Sequence, residues 1–157
     1  MKQNFDYRGS VILGMHDAIV SLTGLIAGLF FAVTDKNIIV LSCIIASVSA
    51  SLSMGAANYL AVKTTDKKSA LYAALFTSGA YMLTCFLLIL PFFMFSQTFL
   101  TVLSIFITVI FIIFLFNFFA YNKKDFFKNF IEMLVICAIV SFIAFLLGNC
   151  SRYFLGI

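Results

Sequence analysis

An all-α membrane protein, a bundle of five transmembrane helices, is the fold this sequence predicts. Three observations lead there. Apolar residues make up 64% of the 157 residues and charged residues 10%, against about 45–50% and about 25% in soluble domains. The mean hydropathy is +1.15. Uninterrupted apolar runs recur at the length of one bilayer crossing, roughly 20 residues, where a membrane barrel would show alternating segments of roughly 10. Residues 1–157 therefore read as a single transmembrane domain, and function must reside in the spans and their short connections.

The first span covers approximately 11–33 and contains "GMHDAIVSLTGLIAG", which places His16 and Asp17 inside an apolar run. Its first apolar stretch is about twice the length of a signal-peptide core. Helical spacing lines up Gly14, Asp17, Ser21, Gly24 and Gly28 as one small, polar stripe, and Gly24 with Gly28 forms a GxxxG pair that admits a close helix neighbour. The second span, 38–62, repeats the device with Cys43, Ser47, Ser51, Met54 and Asn58, beside a stripe of Ala46, Ala50, Ser53, Ala57 and Ala61. The third, 70–94, carries Pro91 near its end, where a missing N–H costs little and helps stop the helix. The fourth covers 99–121 and the fifth 130–147, with a possible extension towards Phe154. The breaks "TDKN", "KTTDKKS", "SQT" and "NKKDFFKN" are short, so consecutive helices are antiparallel neighbours.

Basic residues orient the bundle. With a cytoplasmic N-terminus, Lys2, Arg8, Lys63, Lys67, Lys68, Lys123, Lys124 and Lys128 lie inside and only Lys36 and Arg152 outside, so the positive-inside bias places the C-terminus on the opposite side. The net charge of +4 is explained by this bias without a nucleic-acid partner, and no basic stripe with stacking aromatics is present. Cys43, Cys85, Cys137 and Cys150 form no CxxC pair and read as small packing residues. Nucleotide-loop, HExxH and GxSxG motifs are missing, so no enzymatic activity and no cofactor are expected. Glu132, one turn after Lys128, reads as half of an interfacial ion pair.

Depth connects the first two spans. Asp17 lies nine residues after Arg8, and Met54 lies nine residues before Lys63, which puts both roughly 14 Å inside the membrane boundary at 1.5 Å per residue. Asn58 sits about one turn nearer that boundary. A carboxylate at such depth costs at least about 2.5 kcal/mol and needs a partner, a proton or water. Carboxylate, thioether and amide oxygen form an acceptor set suited to a divalent transition metal, with the thioether favouring iron(II) over magnesium or calcium and the oxygens still serving manganese(II). The competing account is structural: a protonated Asp17 bonded to Ser21 or a facing serine would lock a helix pair, and Met54 would be packing. His16 points about 100° away from Asp17 and is the weaker candidate.

The stretches "GMHDAIVSLTGLIAGL" from Gly14 and "SASLSMGAANYLAVKT" from Ser49 resemble the vacuolar iron transporter family, whose first span carries Asn-Asp-Gly followed by Leu/Ile-Val-Ser/Thr and whose second carries Ser-Met-x-x-Gly-Glu-Tyr. "LPFF" around Pro91 and "GNCSRYFLGI" from Gly148 are similar to the family's third-span end and closing segment. The resemblance implies five-span homodimers that move iron(II), sometimes manganese(II), out of the cytosol in exchange for protons along a path at the subunit interface. Asp17 would then be the pathway carboxylate and Met54 the pathway thioether, with Asn58 and His16 auxiliary. His16 and Ala18 stand where the motif has asparagine and glycine, and Ala57 and Asn58 where it has Gly-Glu. Larger members insert a glutamate-rich metal-binding domain between the second and third spans; here Lys63 to Ser69 occupy that place, a layout similar to the nodulin-like branch.

The expected function is export of a divalent transition metal, iron(II) first and manganese(II) second, by a homodimer in exchange for protons, in a plasma or bacterial inner membrane. A non-transporting scaffold of the same fold, or a passive proton or cation channel, are the alternatives.

Overall fold

The computed structural model describes residues 7–95, 97–120 and 126–155. Among them are five helices and no strand: α1 (Arg8–Ala32), α2 (Lys36–Lys63), α3 (Ala70–Met94), α4 (Thr98–Ala120) and α5 (Phe126–Leu155). All five are long and apolar enough to cross a bilayer. Runs such as "TVLSIFITVIFIIF" in α4 are rich in residues that favour strands in water. In hydrocarbon the requirement that each backbone N–H and C=O be bonded within its own segment overrides that preference.

The third helix has the bounds its hydropathy predicts, α1, α2 and α5 run longer, and α4 starts one residue early, its expected last residue, 121, lying outside the described residues. The largest difference is α5, whose helix begins four residues before the expected 130 and continues eight residues past 147. Gly148 and Asn149 lower the hydropathy there, but neither breaks a helix as proline does. Pro91 lies inside α3, which ends three residues later at Met94. The freed Phe95 carbonyl accepts from the Lys36 ammonium and from the Thr101 hydroxyl. Asp35 caps α2 by accepting the Asn37 N–H at 2.8 Å.

Helix α1 touches all four other helices and packs broadly against α3, which packs as broadly against α2; the contact of α1 with α2 is narrower. On its other side α1 packs against α5. Helix α4 makes only thin contacts with α3, α5 and α1. The core forms where Ile19 and Leu22 of α1 meet Tyr81 and Leu88 of α3 and Ile113 and Phe116 of α4. Large apolar side chains such as Leu83, Phe106, Phe118 and Leu147 face outward, as lipid rather than water requires.

Two close approaches fix the packing. A Cβ on Gly14 would collide with the Thr77 carbonyl of α3. Gly28 and Gly148 meet backbone to backbone, and a Cβ on Gly24 would come within 2.9 Å of Val140. The GxxxG face of α1 is therefore filled by α5 of the same chain. The levels Gly24–Val140 and Gly28–Ala144 also show that α1 and α5 run in the same direction, so the start of α1 and the end of α5 lie at opposite ends of the bundle, here called the near and far ends.

Arg8, Lys63, Lys67, Lys68 and Lys128 gather at the near end, and Lys36 and Arg152 at the far end. Lys2, Lys123 and Lys124 lie outside the described residues. Lys128 and Glu132 are both exposed, and no ion pair joins them. The cysteines are free, three buried and Cys150 exposed. Between α2 and α3, Asp66 takes the Lys68 N–H at 3.0 Å and the Ser69 hydroxyl. Those two donors, the hydroxyl foremost, hold the Asp66 carboxyl below the usual carboxylate range.

Candidate functional site

Asp17 is half-buried on the face of α1 that looks towards α3. The Tyr81 hydroxyl and the Cys85 thiol lie within electrostatic reach of its carboxyl group. Among the described residues it accepts no hydrogen bond, so the serine-locked helix pair weighed from sequence is not formed within one chain. The Ser21 hydroxyl, one turn further along, is engaged instead with Tyr81 Oη at 2.7 Å.

Tyr81 is the functional candidate that sequence reasoning missed. The residue is almost wholly buried, 2% exposed, and anchors α3 in the core, its hydroxyl held at Ser21 within electrostatic reach of Asp17. The signal was available: tyrosines of membrane helices favour the interfaces, whereas Tyr81 lies eleven residues into α3. Beyond it, Cys85 is fully buried and Ser47 Oγ of α2 sits next to its sulfur without a nitrogen or oxygen partner.

Asn58 has a defined mechanical place. Its Nδ2 donates to Thr77 Oγ1 at 2.6 Å, Ser10 Oγ at 3.0 Å and the Ala73 carbonyl at 3.3 Å. The single Thr77 Oγ1 proton is shared between the Ser10 and Ala73 carbonyls, each at 3.0 Å. Helices α1, α2 and α3 are thus tied at one level, with Asn58 Oδ1 left as the amide's only atom suited to a cation.

The knot also sets the register of the other candidates. Counted from the Ser10–Asn58 bond, Asp17 lies about 10 Å and Met54 about 6 Å further into the bundle, at 1.5 Å per residue. Asp17 is therefore about one turn deeper than Met54, which is half-buried and packs on the core. His16 is directed elsewhere: its ring centre is 6.3 Å from that of Phe116 on α4, away from the neighbours of Asp17.

Polar groups remain on the outer face beside the site. The serines Ser21 of α1 and Ser49 and Ser53 of α2 are exposed, and Asp17 and Met54 partly so, at hydrocarbon depth. Among the described residues no group of three or more His, Cys, Asp or Glu side chains could hold a metal ion. Asp17, Met54 and Asn58 are each partly buried, at successive levels along α1 and α2.

Residues 9–68, which span α1, α2 and the turn after them, fit the model of the VIT family. No curated protein matches the chain.

Proposed function

We propose that this chain, a VIT-family member by its first two helices, carries iron(II), and manganese(II) second, across its membrane in exchange for protons. Membrane transport of iron or manganese is the activity of that family. The observation that carries the finer reading is Asp17: a carboxyl group in the middle of the first span that accepts no hydrogen bond among the described residues. Such a group is costly in hydrocarbon unless it meets a cation, a proton or a second polar surface.

A second copy supplies that surface. Two chains meeting along the exposed small-residue face of α1 and α2 would cover Ser21, Ser49 and Ser53 and bring two carboxylates and two thioethers to a shared axis. Four ligands of that kind suit a borderline divalent ion. Asp17 binds the metal as carboxylate and takes up a proton when the metal leaves, so charge at this depth stays near constant through the cycle. Met54 supplies the soft ligand one turn towards the near end, Asn58 offers Oδ1 below it, and His16 remains a polar group at the flank. Five described basic residues at the near end support a cytosolic near end, and hence export towards the far side of a plasma or bacterial inner membrane.

Proteoliposomes loaded with a metal-sensitive dye test this directly. Iron(II) or manganese(II) flux that grows with a pH gradient and is lost in Asp17→Asn and Met54→Ala is the expected result. A folded dimer without flux would leave a scaffold, and proton current without metal would leave a channel; either outcome overturns the proposal.

A further inference from the structure

Between α1, α4 and α5, in the half of the bundle towards the far end, lies a cleft of about 490 Å³. Its walls are residues 23–31 of α1, 102–110 of α4 and 134–141 of α5, and they are almost wholly apolar. The cleft lies where α4 makes only thin contacts with α1 and α5; along it Val102 and Phe106 stand exposed while Ile105 and Val109 turn inward.

We infer that this cleft holds an acyl chain of a membrane phospholipid from the leaflet at the far end. Its length agrees: eight residue steps along α1 or α4 make about 12 Å at 1.5 Å each, close to the half-thickness of a hydrocarbon core of about 30 Å. Its volume agrees as well, since 490 Å³ equals about sixteen units of ~30 Å³, the share of one water, and a methylene is of similar size. Water itself is a poor occupant because it needs two to four polar partners. The walls offer little beyond the hydroxyls of Thr23 and Ser141, and Thr23 Oγ1 is buried with no partner. The rim residues Phe31, Val102, Phe106 and Ala138 are exposed at hydrocarbon depth, so the opening faces lipid. A second copy is the less suitable occupant, because this rim has no polar group to specify a protein partner.

Native mass spectrometry after reconstitution with phosphatidylethanolamine and phosphatidylglycerol tests the assignment. The native chain should retain at least one phospholipid under activation that strips surface lipid. Ala138→Phe, which fills the cleft from its exposed rim, should lower that retained population at least fivefold, and the milder Ala27→Leu should lower it in the same direction. Leu52→Phe, on the exposed side of α2, should leave it unchanged. Equal retention in all four proteins overturns the proposal, as does retention of added palmitate in place of phospholipid. Loss of a dimer in Ala138→Phe would instead give the cleft to a second copy. None of these readouts depends on metal flux.

Discussion

Asn58 of α2 and Thr77 of α3 are 2.6 Å apart through an amide-to-hydroxyl hydrogen bond, and the same threonine donates to the Ser10 carbonyl of α1. Three helices are joined there by two side chains. Interhelical bonds within membranes average about 0.6 kcal/mol and reach about 1.7. Thr77→Val removes both the acceptor for Asn58 and the donor to Ser10, so it should destabilise the bundle by about 1–2 kcal/mol. Asn58→Leu should cost a similar amount or more, because leucine is bulkier than the site. Unfolding in a titration of sodium dodecyl sulfate against a mild detergent measures both, and unchanged midpoints would show that the knot contributes nothing.

Asp17 behaves in the opposite way. Since no hydrogen bond among the described residues holds it, Asp17→Asn should leave the unfolding midpoint of the single chain no lower than native, while metal flux falls at least tenfold. A structural role predicts the reverse, a stability loss of about 1–2 kcal/mol with flux retained in proportion to folded protein. Running both measurements on one preparation separates the two.

Tyr81→Phe probes the same site from α3. It deletes the bond to Ser21 Oγ and should cost about 0.5–1.5 kcal/mol. Ser21→Ala deletes the same bond with a similar cost, yet leaves the phenol beside Asp17. Flux should therefore fall, and its dependence on pH should shift, in Tyr81→Phe but not in Ser21→Ala. Identical flux profiles would reduce Tyr81 to packing.

How far these residues were legible in the sequence follows from what each owes to its own helix. The α3 bounds were readable because hydropathy changes sharply at Ser69–Ala70 and at Met94. The α5 bounds were readable only in part: an extension towards Phe154 was expected, but a helix of 30 residues starts before residue 130 and passes Gly148 and Asn149 without a local signal that fixes its ends. Asp17 was readable as an acid inside an apolar run. The partner of Gly24 and Gly28 was not, since a GxxxG pair states only that some helix comes close; that it is α5 depends on the order in which five helices pack. The role of Asn58 was hidden for the same reason, its three acceptors lying 15, 19 and 48 residues away.

The α2–α3 turn carries a pH dependence of known sign. Donation from Ser69 and Lys68 lowers the Asp66 pKa in the folded state. Its contribution to stability is therefore full above the unfolded value of about 3.9 and lost as pH falls through the lower folded value. Thermal unfolding in detergent should show Asp66→Asn slightly less stable than native at pH 6, with the difference shrinking below about pH 4. A gap that persists at pH 3 would mean the acid form holds the turn equally well.

The assignment of the GxxxG face to α5 gives the last prediction, which separates packing within a chain from contact between chains. Leucine at Gly28 must displace the α5 backbone at Ala144 and Gly148, and overpacking of that kind costs about 1–3 kcal/mol or more, so Gly28→Leu should lower stability sharply without new oligomers. Contact between copies should be reported from the other surface. In a background with the exposed Cys150 replaced by serine, Ser53→Cys should cross-link two chains under mild oxidation, because Ser53 is exposed on the α2 face next to Met54. Ile139→Cys, on the exposed side of α5, should not. Cross-linking through Ile139→Cys alone would move the dimer axis to α5, away from Asp17, and leave its carboxyl group without the second copy that a shared four-ligand site requires.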